Sequence, residues 1–141
     1  KYVFFGDEKS DILIITYGRL FSFACECMER LEKQGISACI LKLNTVKPID
    51  SGAVIGAKDF KYCFFFEEGI SCGGIGEHFL CKLIENDFTG KYTLTAIDDQ
   101  YVEQSTVASA LKKYKLDTDG MEEVILKKIK CDGELCGKEK T

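Results

Sequence analysis

Residues 64–78 read FFFEEGISCGGIGEH, and the fold class follows from how that stretch is parsed. The run Phe64–Phe66 has no polar alternation, so it reads as a strand covered on both faces. Two acids and a glycine-rich turn follow. The chain then takes helical periodicity, with Phe79, Leu80, Leu83 and Ile84 as the expected core stripe. A buried strand, a glycine turn and a helix together make half of a parallel α/β unit. In that arrangement the amides and positive end of the new helix face the carboxyl edge of the sheet, where open α/β sheets usually bind ligands.

The candidate contact residues in this stretch are Glu67, Glu68, Gly73, Gly74 and Gly76. Their spacing matches neither G-x-G-x-x-G nor G-x-x-x-x-G-K-[ST], and the two carboxylates repel a phosphate. The bland reading is a tight turn whose glycines let helix and strand pack closely. The alternatives are a weak anion site or a contact with an adjoining domain. Glu67 and Glu68 are poor partners for shared acid–base work, because neighbours on a strand point to opposite faces. One of them is expected to cap local backbone amides or reach a neighbouring domain.

The pattern extends in both directions. Asp11–Tyr17 and Ser37–Asn44 read as buried strands, and Tyr92–Ile97 as a fourth after Tyr62–Phe66. Tyr2–Phe5 adds an edge strand before a turn at Gly6-Asp7. Between them, Leu20, Ala24, Cys27, Met28 and Leu31 fall on one side of a helix that Gly35 ends with positive φ. Lys47-Pro48 forces an extended turn, and Gly52–Lys58 is short and helical. Ser105–Lys113 and Asp119–Lys130 close the chain as helices, the last with Asp119 and Glu122 at capping-box spacing and Met121, Val124, Ile125 and Ile129 buried. Strands alternating with helices predict one α/β domain with a parallel-cored sheet, helices on both faces, spanning residues 1–130. Residues 131–141 lack periodicity and are expected to be a flexible tail.

The totals agree. At 141 residues, with 45% hydrophobic and 30% charged residues, the chain has the composition of a folded domain. A net charge of −4 gives no electrostatic case for nucleic acid or an anionic membrane. No apolar run approaches the roughly 20 residues that span a bilayer, and the N-terminus does not follow the plan of a secretion signal. The chain starts at Lys1 without methionine, so it is expected to be cut from something longer.

Eight cysteines raise the question of disulfides. Cys27, Cys39, Cys63 and Cys81 sit in periodic segments and read as small core residues. There is no Cys-x-x-Cys, so reduced thiols and a cytoplasmic setting are expected. Cys131 and Cys136 read as loose thiols of the tail. His78, the single histidine, falls with Lys82 and Glu85 away from the core stripe. With Cys72 and Cys81 it matches no common zinc pattern, and on a polar face it makes a poor base for a cysteine nucleophile. Asp98-Asp99 is explained by turn chemistry. No metal, no bound cofactor and no catalytic residue is expected within this chain.

The order of SDILIITYG (10–18), ACILKLNTVKPID (38–50), FFFEEGISCGGIGEH (64–78) and LTAIDDQYVEQST (94–106) resembles the C-terminal domain of the transketolase superfamily, over about Tyr2 to Ile129. Members include transketolase, the beta subunits of 2-oxoacid dehydrogenases, and 1-deoxy-D-xylulose-5-phosphate synthases. Val46–Asp50, Ala96–Gln104 and above all Leu116–Met121 are most similar to the synthases. The resemblance implies an α/β/α sandwich on a mixed, mostly parallel five-stranded sheet with one antiparallel edge strand. It implies a parent transferase that uses thiamine diphosphate and Mg2+ to join pyruvate and glyceraldehyde 3-phosphate, for isoprenoid precursors. In the family the cofactor ligands and catalytic histidines lie in preceding domains, which are this domain's expected partners within a homodimer. A dehydrogenase-like partner-docking module and a free-standing nucleotide-binding domain built on Gly73–Gly76 are the other readings.

Overall fold

The computed structural model of the chain describes residues 1–97 and 107–132. Its elements run β1 (Tyr2–Gly6), β2 (Ile12–Tyr17), α1 (Leu20–Lys33), β3 (Ala38–Leu43), α2 (Ser51–Ala57), β4 (Tyr62–Ile70), α3 (Ile75–Glu85), β5 (Lys91–Ile97), α4 (Val107–Lys113) and α5 (Thr118–Cys131). The five strands form one sheet in the order β1-β3-β2-β4-β5. Neighbours from β3 to β5 pair in parallel, and β1 pairs with β3 antiparallel.

Period-two alternation divides the core into two layers. Ile12, Ile14, Ile40, Tyr62, Phe64 and Phe66 face Leu20, Ala24, Cys27 and Leu31 of α1, with Met121 and Ile125 of α5. The intervening residues, Leu13, Ile15, Leu41, Cys63 and Phe65, face Ala53, Val54 and Ala57 of α2 and Phe79 and Leu83 of α3. The expected three-layer sandwich with an antiparallel edge strand is therefore the fold. The central strands carry apolar side chains on both faces because both are covered.

Three helices end in the same way. After α1, Gly35 has φ +78°, its N–H donates to the Glu32 carbonyl, and the N–H of Ile36 donates to Leu31. This pair of bonds is a Schellman motif. Asp87 (φ +64°) and Lys115 (φ +60°) occupy the same left-handed position after α3 and α4. There Phe88 N–H donates to Leu83 and Leu116 N–H to Leu111. Each apolar residue after the turn thus lies at the bonding partner of a buried leucine, which seals the helix end.

Several local expectations change. β4 runs on to Ile70, with a register irregularity between Phe66 and Ile70, so Glu67 and Glu68 belong to the strand and not to a loop after it. Gly76 lies inside α3, not before it. Ile84 is 61% exposed and Cys81 is exposed, because α3 docks on Gly76, Phe79 and Leu83. Position 81 lies about 200° around the helix from Phe79. The cap of α5 is Asp117, whose side chain accepts from Gly120 N–H at 2.9 Å, and Asp119 sits in the first turn. Of the expected stripe of α5, Met121 and Ile125 are buried, while Val124 and Ile129 are only partly so. Asp98-Asp99, Cys136 and residues 133–141 of the expected tail lie outside the described residues.

Candidate functional site

The chain runs from β2 outward to β3 and then returns across β2 to β4, so the strand order reverses between β2 and β4. The crevice above that reversal is where an open parallel sheet ordinarily takes a ligand. Here Tyr17 and Arg19 meet Glu67 and Glu68 at that position.

Glu67 is 1% exposed. Its Oε1 accepts from Gly76 N–H at 2.8 Å, and its Oε2 accepts from Ile75 N–H at 3.2 Å and from the Tyr17 hydroxyl at 2.8 Å. The residue before α3, Gly74, has no side chain with which to cap the helix. The preceding strand supplies the missing acceptor instead. A carboxylate at this point satisfies two of the amides that a helix leaves without partners and lies at the positive end of the helix dipole. On the other side of the same turn, the Tyr92 hydroxyl donates to the Gly76 carbonyl at 2.6 Å. The first turn of α3 is therefore pinned through both an N–H and a C=O.

Glycine at 76 is required by this close approach. A Cβ there would lie 2.3 Å from Leu94 Cδ1 and 3.0 Å from Glu67 Oε1. Gly73 answers a different need, since its φ of +79° lies in the left-handed region that side chains disfavour. Its N–H donates to Glu77 Oε1 at 3.3 Å.

Glu68 turns to the other face of the sheet. It forms a two-pronged pair with Arg19, whose Nε lies 2.9 Å from both carboxylate oxygens. The adjacent acids thus do not meet, and each has its own partner. The Glu68 pair is exposed, its side chains 57% and 34% accessible, and such pairs contribute between nothing and about 1 kcal/mol.

Burial first, then the hydrogen bond and charge of Glu67 and the charge of Glu68, push the Tyr17 phenol above its ordinary value of 10.0. Tyr92 is raised as well, chiefly by burial. Both hydroxyls act as donors over the neutral range. Burial likewise raises the thiols of Cys27 and Cys63 to about 12 and that of Cys39 to about 11. Those three sulfurs behave as core groups, not nucleophiles.

Sequence reasoning found Glu67, Glu68 and the glycines but missed Tyr17, Arg19 and Tyr92. One available signal was the position of Tyr17 at the carboxyl end of the strand next to β4. Among the described residues, no group of three or more His, Cys, Asp or Glu side chains is placed to hold a metal ion. The remaining chemistry is that of a closed brace: a buried carboxylate that takes the Tyr17 hydroxyl and the Ile75 and Gly76 amides.

Comparison with known proteins bears on what such a brace belongs to. The chain is 33% identical over 121 residues to a 1-deoxy-D-xylulose-5-phosphate synthase of Clostridium botulinum (strain Eklund 17B / Type B), covering 85% of this chain and 20% of that protein. It is 29% identical over 128 residues to the synthase of the same name from Dehalococcoides mccartyi (strain ATCC BAA-2266 / KCTC 15142 / 195), covering 89% and 20%. A shorter stretch of 50 residues is 52% identical to the 2-oxoisovalerate dehydrogenase subunit beta of Bacillus subtilis (strain 168), covering 36% of this chain and 15% of that one. A solved chain described as a split gene transketolase, inactive beta4 tetramer, shares the fold with a TM-score of 0.78 at 23% identity, over 90% of this chain and 41% of that one. The chain spans about a fifth of the length of the synthases it matches. The family model for the transketolase C-terminal domain matches residues 2–121, and the chain belongs to that family.

Proposed function

We propose that this chain is the non-catalytic C-terminal domain of a thiamine diphosphate-dependent enzyme of the 1-deoxy-D-xylulose-5-phosphate synthase kind. The parent would join pyruvate and glyceraldehyde 3-phosphate with loss of carbon dioxide, in the cytoplasm and as a homodimer, toward isoprenoid precursors. The domain's part is structural: it packs on the preceding domains, and the carboxyl edge of its sheet (Glu67, Glu68, Gly73, Gly74 and Gly76) serves contact rather than chemistry.

The observation that carries this reading is the occupation of the α3 amides by Glu67. A diphosphate does not fit there. Its oxygens would have to displace a buried carboxylate that already takes the Ile75 and Gly76 amides, and any carboxylate left nearby would repel it. The long alignments to two synthases support that parent over the other members.

Two measurements test the reading. Calorimetric titration of the chain with thiamine diphosphate and Mg2+ should show no saturable heat, and micromolar binding would overturn the structural role. The coding sequence upstream of Lys1 should contain a G-D-G run with a downstream asparagine. Its absence would overturn the assigned parent.

The 52% identity over 50 residues to a dehydrogenase beta subunit favours a second reading, in which the domain docks a partner acyltransferase. Co-purification with such an acyltransferase, and not with a synthase core, would select it.

A further inference from the structure

A groove of about 430 Å³ lies on the α2–α3 side of the sheet, next to the Glu67 brace, with which it shares Ile75. It is lined by Val46, Lys47, Pro48 and Ile49 from the β3–α2 connection and by Gly73, Ile75, His78 and Lys82 from α3 and the turn before it. Three of these eight residues are basic in type and none is acidic, although the whole chain carries −4. Lys47, His78 and Lys82 make no side-chain hydrogen bond or ion pair among the described residues. Of the acids that adjoin lining residues, Glu77 accepts from the Gly73 amide at the groove wall and Asp50 accepts from the Gly52 amide. His78 and Lys82 are four residues apart on α3, so they lie over one another on the same side of the helix. Lys47 approaches from the opposing connection.

We propose that this groove binds a small phosphate monoester, with Lys47 and Lys82 supplying the charge, His78 a ring N–H donor, and Val46, Ile49 and Ile75 receiving the organic part. The inference does not rest on the role assigned to the whole domain. Lys47 and His78 are exposed and Lys82 is half-buried, so all three are open to an anion entering from solvent. Phosphate suits this geometry because lysine meets it as a point charge and needs no fixed fork of donors. The mix of apolar wall and a few convergent polar groups is the usual composition of a small-molecule site.

His78 is the single histidine, so its ring gives one set of imidazole signals in a nuclear magnetic resonance spectrum and reports directly on the groove. The 141-residue chain is titrated with inorganic phosphate and with phenyl phosphate at fixed pH. Sodium chloride holds the ionic strength constant, because surface charge effects are otherwise screened along the titration. The expected result is a saturable shift with both, at least threefold tighter for the ester. A Lys47→Gln, Lys82→Gln double variant should weaken both at least tenfold while keeping the wild-type circular dichroism spectrum. Those lysines lie outside the two cores, so the variant is expected to fold. Shifts that match those in chloride, fail to saturate, or persist in the double variant mean an adventitious ion only and overturn the proposal. Equal affinity for phosphate and its ester overturns it too.

Discussion

Replacing Glu67 by alanine tests the brace most directly. The substitution removes three hydrogen bonds, to the amides of Ile75 and Gly76 and to the Tyr17 hydroxyl. Hydrogen bonds to a charged group contribute roughly 1.5–3 kcal/mol each, but three on one carboxylate are not additive. The lost groups also differ in exposure. Gly76 is buried and has no route to water, so its amide bears most of the desolvation cost. Tyr17 is only partly buried and can recruit solvent. Adding about 1 kcal/mol for the lost charge at the helix start, we expect Glu67→Ala to cost about 3–5 kcal/mol. Glu67→Gln retains one acceptor, which can keep the Gly76 amide, while its NH2 group faces the Ile75 N–H; about 1–2 kcal/mol is expected. Glu68→Ala, next in sequence but engaged only with exposed Arg19, should cost less than about 1 kcal/mol. The assay is urea unfolding followed by far-UV circular dichroism, since the chain has no tryptophan. The shift in midpoint at constant slope gives the difference. A loss below about 1 kcal/mol for Glu67→Ala, or equal losses at 67 and 68, would refute the argument that this carboxylate caps α3 from outside the helix.

Other substitutions read the same geometry. Gly76→Ala should destabilise by about 1–3 kcal/mol through overpacking, since the new Cβ meets Leu94 at 2.3 Å; a neutral result in urea would show that α3 can shift. Lys115→Gly should stabilise by about 1 kcal/mol, because Lys115 holds φ +60° at a position that glycine adopts freely, and an unchanged or lowered midpoint would refute it. Thiol reagents should label Cys72 and Cys81, which are exposed, in the native protein, and Cys27, Cys39 and Cys63 only on unfolding, as mass spectrometry of labelled peptides can show. The buried thiols also set a pH dependence. Their folded values, about 11 to 12, lie above the ordinary 9.0, so above pH 9 the unfolded chain releases these protons first. It then binds fewer protons than the folded chain, and stability falls with rising pH up to about 11–12 and is insensitive to these groups below 9. A flat urea midpoint between pH 8 and 11 would contradict this.

The layers of the fold were legible because they rest on local pattern. Unbroken apolar runs such as Ile12–Ile15 and Phe64–Phe66 leave no polar face, which only a sheet covered on both sides accommodates. The helix of Leu20–Lys33 is amphipathic, and Gly35 ends it. The failures arose where tertiary contacts override the pattern. Ile84 extended the apolar stripe in sequence, yet the docking of α3 is set by the absent side chain of Gly76 against Leu94 and Phe65, and this turns Ile84 outward. Asp87 and Lys115 carry left-handed φ that no glycine advertised. The cap of α5 falls on Asp117, whose side chain takes the Gly120 amide, and Gly120 packs against Lys115, whose Cα would lie 2.4 Å from any Cβ at 120.

Part of the candidate site's wiring was legible, since one of the two acids was expected to cap local amides and Glu67 does so; the side-chain partners were not, for a general reason. Glu67 and Glu68 differ by one position, and alternation alone sends them to opposite faces. Their side-chain partners, Tyr17 and Arg19, come from β2 and the residue before α1, some fifty positions earlier in the chain, and no spacing rule reaches that far. The outcome is an asymmetric closure of the β2–β4 crevice. On the α3 side a buried carboxylate takes three donors, and on the α1 side Arg19 and Glu68 form an exposed ion pair. Exposed pairs are weak and readily exchanged, whereas a buried, thrice-bonded carboxylate is not. If another surface engages this edge of the sheet, the exchange must therefore come through Arg19 and Glu68, with Glu67 left holding the helix.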